Sequence, residues 1–109
     1  MASRKPQLKV SLSHPVANEL DEIYRYNIRK RGRAAADRYI TFLNAKLDSL
    51  AVEYDRGKAV ESRPDLRYML MKKRTSGDGH IAVYYIDDAA ATVDVRFIFH
   101  TKQDWENQL

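Results

Sequence analysis

The sequence has no cysteine, which excludes a disulfide framework and thiolate chemistry. Three histidines, His14, His80 and His100, are the only other soft metal ligands. No two of them stand four residues apart on a helix, so an H-E-x-x-H metal site is absent and a structural zinc has little to bind. Glycine is scarce, with four residues, and proline scarcer, with three. There is accordingly no Gly-rich loop to cradle a phosphate, no G-x-S-x-G nucleophile elbow and no Gly/Pro/Ser linker. Ser, His and Asp all occur, but nothing in their spacing supports a triad. No apolar run approaches the length of a membrane span. Met1 to Gln7 carries Arg4 and Lys5 without the apolar stretch of a secretory signal, so the cytoplasm is the expected location.

What is present suits one domain over residues 1–109. A chain of this size buries roughly two-thirds of the surface it exposes when unfolded. Hydrophobic residues at 44% and aromatics at 10% argue for a packed core despite 31% charged residues. The net charge of +4 is unevenly distributed. Residues 1–38 hold nine Lys/Arg against four Asp/Glu, and residues 56–74 hold seven against two. Residues 75–109 hold two against six. Two basic blocks attract an anion, either nucleic acid or an acidic protein segment, and the tail is acidic.

Periodicity gives the elements. Leu8, Val10 and Leu12 alternate with polar residues, which predicts a half-buried strand. Ser13 then caps a helix, with Pro15 near its first turn. Val16, Leu20, Ile23, Tyr24 and Ile28 form one stripe of that helix. Arg29, Lys30 and Arg31 crowd its end, where the helix dipole favours cations, and Gly32 stops it. Ala35, Ala36, Tyr39, Phe42, Leu43, Leu47, Leu50 and Ala51 predict a second helix after a very short turn. A short connection between amphipathic helices makes an antiparallel hairpin. A loop is expected from Asp55 past Pro64, followed by strands over Leu66–Lys73, His80–Ile86 and Thr92–His100. Strict alternation in the last strand puts Val93, Val95, Phe97 and Phe99 against the helices. It leaves Asp94, Arg96, Ile98 and His100 on a largely polar face. The fold class is α+β: an N-terminal strand, a helical hairpin, then a three-stranded antiparallel meander. The expected buried set includes Leu12, Leu20, Ile23, Tyr39, Leu43, Leu47, Val83, Val95 and Phe97.

One constellation bears on chemistry. Metal-independent RNA cleavage needs a base for the 2′-OH proton, an acid for the leaving oxygen and cations for the phosphate. His100 can serve as acid or base and Glu61 as base. Arg63, Arg67, Lys72, Lys73, Arg74 and Arg96 are the candidate cations. The simpler reading makes His100 a local hydrogen-bonding group at a strand end and Glu61 a loop carboxylate beside Arg63.

The ordered set of residues resembles a known family. It comprises Leu12-Ser13, then Ala17, Leu20, Ile23 and Tyr26, then Arg31-Gly32, then Ala36, Tyr39, Leu43, Leu47 and Leu50-Ala51. Gly57, Pro64 and Leu66-Arg67 follow, then Gly79-His80-Ile81, Tyr84 and Ile86-Asp87. Val95-Arg96-Phe97-Ile98-Phe99-His100 and Gln103-Asp104-Trp105 close it. Over about residues 8–105 this is similar to the RelE/ParE superfamily of bacterial type II toxins, and within it to the ParE branch. The resemblance implies a growth-arresting toxin, of the kind linked to plasmid stabilisation, that acts on DNA gyrase. It implies a ParD-like antitoxin with an acidic tail as partner in a hetero-oligomer, and contact with DNA only through that antitoxin. The absent ligand clusters and the missing Tyr beside His100 predict no catalytic residues, no cofactor and no metal. Arg63, Arg67, Lys73, Arg74, Arg96, His100 and Trp105 are the expected target- or antitoxin-binding residues, with Asp104 a further target contact. The alternatives are a RelE-type ribosome-dependent mRNA endonuclease using His100, Arg96 and Glu61, or a non-toxic binding module of the same fold. Thr101 stands beside His100, where nuclease members commonly have Tyr, and the acidic final third is a poor surface for RNA phosphates. Both features favour gyrase.

Overall fold

A computed structural model of the protein describes residues 5–74 and 77–109; the charged start at Arg4 lies outside the described residues. Lys9–Leu12 form strand β1. Ser13, in extended backbone, then caps helix α1, His14–Arg31: its Oγ accepts a hydrogen bond from Val16 N at 3.4 Å. Pro15 sits in the first turn and three cations sit in the last. Gly32 alone joins α1 to helix α2, Arg33–Glu53. Its φ of 90° is a left-handed value that a side chain would strain. Its N–H donates to Ile28 O, and its own carbonyl accepts from Ala36 N. Buried Ala36 allows the two helices to approach closely.

Strands β2 (Lys58–Val60), β3 (Arg63–Met71), β4 (His80–Asp87) and β5 (Thr92–His100) complete one sheet of order β1-β5-β4-β3-β2. β1 runs parallel to β5, and the other neighbours are antiparallel. Val16, Leu20 and Ile23 of α1 and Leu43, Leu47 and Leu50 of α2 pack with Met71, Ala82, Tyr84, Val93, Val95 and Ile98 of the sheet. The hairpin therefore covers one sheet face. Gly57 lets the chain after α2 pass under Tyr84, since a Cβ there would fall 2.0 Å from the Tyr84 hydroxyl oxygen.

The structure departs from sequence expectation in four places. Part of the expected loop after Asp55 is strand β2, and β3 begins at Arg63 rather than Leu66. Leu12 is exposed because β1 is a sheet edge, and Tyr39 and Phe97 are half-buried. Alternation in β5 breaks at Arg96. Val83 pairs with Phe97 but Tyr84 pairs with Val95, so Arg96 has no partner in β4. This β-bulge turns every later side chain to the opposite face. Ile98 joins the helix-side core, whereas Phe97 and Phe99 face away from the helices. The far face is accordingly not largely polar. Val60, Leu66, Ile81, Val83, Phe99 and Trp105 form a second apolar cluster there, closed by the short 3-10 helix Trp105–Gln108.

Leu43 is fully buried between the layers, whereas Leu12 is 41% exposed. Replacing Leu43 with Ala is expected to cost roughly 2–5 kcal/mol through lost burial and a cavity. Leu12→Ala should stay within about 0.5 kcal/mol. Denaturant unfolding of both variants checks this, and equal costs would contradict the layer assignment.

Candidate functional site

Arg96, the bulge residue of β5, lies on the open face of the sheet, where alternation from buried Val95 also puts it. Its guanidinium lies 5.0 Å from the Tyr85 ring centre and pairs with Asp94 at 3.1 Å. The side chain keeps 41% of its surface exposed. Its backbone carbonyl, freed from the ladder, accepts a hydrogen bond from Ser13 Oγ at 3.0 Å. Trp105 is buried on the same face, with ring centres 5.0 Å from Tyr68 and 6.3 Å from Phe99. Trp105 thus pins the tail to the sheet. Asp104 is exposed and accepts a hydrogen bond from the Asn107 side chain at 2.6 Å.

His100 points the other way, toward the helices, and stands edge-on to His80 with ring centres 5.2 Å apart. His80 opens β4 opposite His100, and its Nδ1 lies 2.6 Å from the Tyr39 hydroxyl on α2. His100 Nδ1 accepts a hydrogen bond from the Lys102 N–H at 3.1 Å. Burial, with His100 as a second cause, lowers the His80 pKa from 6.5 to about 4. Burial raises the Tyr39 pKa, so the hydroxyl stays protonated beside His80. These rings form part of the wall of a cleft of about 590 Å³ between α1 and the ends of β4 and β5. Reasoning from sequence overlooked His80 and Tyr39 as site residues. The residue pattern held no signal for this: counted back from the Asp87–Thr92 pair, an unbroken hairpin would set His80 opposite Phe99, and only the bulge moves it opposite His100.

The remaining candidates are scattered. Glu61 is exposed in the turn between β2 and β3, toward the opposite edge of the sheet from β5. Arg63 pairs with Asp65 at 3.3 Å, and that hydrogen bond lowers the Asp65 pKa. Arg67 is half-buried and donates to Gly57 O at 2.8 Å, which ties β3 to the chain after α2. Lys73 lies 5.9 Å from the centre of the Phe42 ring on α2, and Arg74 is exposed. Lys72 is half-buried just past the end of β3. The structure brings His100 together with His80, and Arg96 with Asp94 and Tyr85. It does not bring His100, Arg96 and Glu61 together.

A family model described as "ParE toxin of type II toxin-antitoxin system, parDE" matches residues 10–105. Among solved structures, the chain is similar to one from the chromosomal ParDE TA system of P. aeruginosa, with a TM-score of 0.70 and 14% identity. That match covers 84% of this chain and 94% of the other, and at this identity it is a likeness of fold. No curated protein matches the sequence.

The half-buried His80 makes stability depend on pH. Its folded pKa lies below its unfolded value, so between about pH 4 and 6.5 the unfolded chain binds more protons. Stability should rise with pH across that window and be lost as pH falls through it. His80→Gln keeps an acceptor for Tyr39 and removes the titration. Denaturation midpoints from pH 4 to 7 should show a shallower slope for this variant, and an identical slope would remove His80 as the cause.

Proposed function

The chain belongs to the ParE toxin family of type II toxin–antitoxin systems, and we propose that it arrests growth by binding DNA gyrase and is held inactive by an acidic-tailed antitoxin. The supporting observation is the separation of the nuclease candidates. Cleavage of a phosphodiester needs base, acid and cation to converge on one phosphate. Here Arg96 lies on the open face, His100 faces the helices, and Glu61 lies toward the far sheet edge. The protein therefore acts by contact rather than turnover, in the cytoplasm, with no metal or cofactor. Among the described residues no helix is long and apolar enough to cross a membrane.

Arg96 is the contact that fits gyrase best. Arginine is among the residue types most often found as interface hot spots, and this one is held out from the sheet over Tyr85. Trp105 acts indirectly, by fixing the far-face cluster beside it. The antitoxin tail suits the surface around Lys73 and Arg74 and the exposed Leu70 of β3. An acidic segment that folds on binding meets both the charges and the apolar side chain. Arg67 belongs to the fold more than to this surface, because its guanidinium is committed to Gly57.

Purified protein should inhibit supercoiling by purified gyrase, and Arg96→Glu should raise the concentration required by roughly tenfold or more. Unchanged supercoiling together with ribosome-dependent mRNA cleavage would replace this reading with the nuclease one. If neither assay responds, the chain is a non-toxic binding module. Reversing Lys73 and Arg74 to Glu should weaken the antitoxin complex and flatten its salt dependence. Unchanged affinity would place the antitoxin elsewhere.

A further inference from the structure

We propose that the tip of the helical hairpin binds the phosphate backbone of duplex DNA directly, without reading its sequence. The choice of DNA rests on the gyrase reading above, because gyrase works on duplex DNA. Residues 29–38 hold five Lys/Arg against one Asp, a surplus equal to the +4 of the whole chain. Arg29, Lys30 and Arg31 end α1, Gly32 makes the turn, and Arg33 and Arg38 follow on α2. All five cations are exposed, and none forms an ion pair with a described residue. Arg29 and Arg33 are four peptide steps apart, so their Cα atoms lie within about 15 Å. The neighbouring carboxylates are committed or distant. Asp37 accepts from the Tyr24 hydroxyl at 2.6 Å, and Asp21 pairs with Arg25 at 3.1 Å. Asp78 pairs with Lys102 at 3.2 Å. Glu22 stands seven residues before Arg29, about 10 Å down the helix, and Glu19 lies further still.

Helix stability accounts for only part of this charge. The dipole at the end of α1 favours Arg29, Lys30 and Arg31. The start of α2 is the positive end of its helix, yet it opens on Arg33 and has no acidic residue in its first turn. A local rule broken at an exposed position points to use by a partner. An acidic peptide suits this surface poorly. Among residues 29–38 no large hydrophobic side chain is exposed, so an amphipathic segment finds no apolar foothold there, unlike the surface beside Leu70. Tyr26, the nearest such side chain, ends in a hydroxyl that can itself donate to phosphate. A phosphate backbone needs only charge and close approach. Four of the five cations are arginines, whose forked donors match phosphate oxygens. The tip is also well separated from Arg96. Ser13 Oγ holds the Arg96 carbonyl at the start of α1, and the tip lies at the other end of that 18-residue helix, about 27 Å away. One surface can therefore touch gyrase while the other meets the duplex.

Fluorescence anisotropy of a labelled DNA duplex titrated with the full chain tests this, with an RNA duplex and poly-glutamate as competitors. The duplex should bind whatever its sequence, and log affinity should fall against log salt with a slope of about −4. Arg29→Ala combined with Arg38→Ala, both exposed, should weaken binding at low salt by roughly tenfold and reduce the slope by about two. Lys73→Ala combined with Arg74→Ala removes as much charge elsewhere and should leave both nearly unchanged. Absence of duplex binding would overturn the proposal, as would an equal loss from the Lys73 and Arg74 pair. So would poly-glutamate competing as well as DNA, or an RNA duplex binding more tightly. No gyrase is present in these titrations, so loss of duplex binding leaves the gyrase reading standing, and a failure to inhibit supercoiling leaves duplex binding to be measured.

Discussion

A bulge leaves its extra residue without ladder partners, and in this sheet Ser13 takes up the freed carbonyl. Its hydroxyl donates to Arg96 O, its backbone N–H donates to Val95 O, and its Oγ accepts from Val16 N at the start of α1. One side chain thus joins the end of β1, the first turn of α1 and the irregular point of β5. The bulge is less costly with such a partner, because the part-buried carbonyl is then bonded. With it, the chain after Arg96 is rotated by one face for the rest of the strand.

That rotation explains the two cores and the two candidate surfaces. Before the bulge, Val93 and Val95 pack under the helices; after it, Ile98 does, while Phe97 and Phe99 close over the other face with Trp105. The short C-terminal helix has something to pack on only because the aromatic residues turned outward. The same rotation turns His100 into the cleft with His80 and Tyr39, while Arg96 keeps the open face that alternation from Val95 already gives it. Residues four apart in a regular strand would share a face, and a phosphate could then meet both. Here the sheet stands between them, and this is the physical basis for preferring inhibition by contact.

Much of the fold was legible in the residues themselves. Both helices are long and strongly periodic, and Ser13, Pro15 and Gly32 mark their limits through capping and φ requirements. The strands over Thr92–His100 and His80–Asp87 were found nearly to their ends. The three-residue β2 was not, because Lys58, Ala59 and Val60 are too few to show alternation, and only Val60 is buried. The bulge was invisible for a different reason. Val95 and Phe97 are both apolar, so the pattern reads as unbroken alternation although the backbone slips between them. Of the site, the basic residues were visible as a charge block, but their commitments were not. That Arg67 is tied to Gly57 is a tertiary fact, and the local Arg63–Asp65 pair depends on both residues lying in extended β3. His80 gained its setting only when the hairpin register brought His100 and Tyr39 against it.

The assignment of Arg96 and His100 to opposite faces rests on the side chains flanking the bulge, and proton–proton contacts measured by NMR read these directly. The Phe97 ring should show contacts within the far-face cluster, and the Ile98 methyl groups should show contacts with the helix-side core. The His100 ring should be close to His80 and Tyr39. Contacts from Phe97 to Leu43 or Leu47, with Ile98 on the open face, would mean that β5 alternates without a bulge. Arg96 and His100 would then share one surface, and the case against RNA cleavage would fall with it.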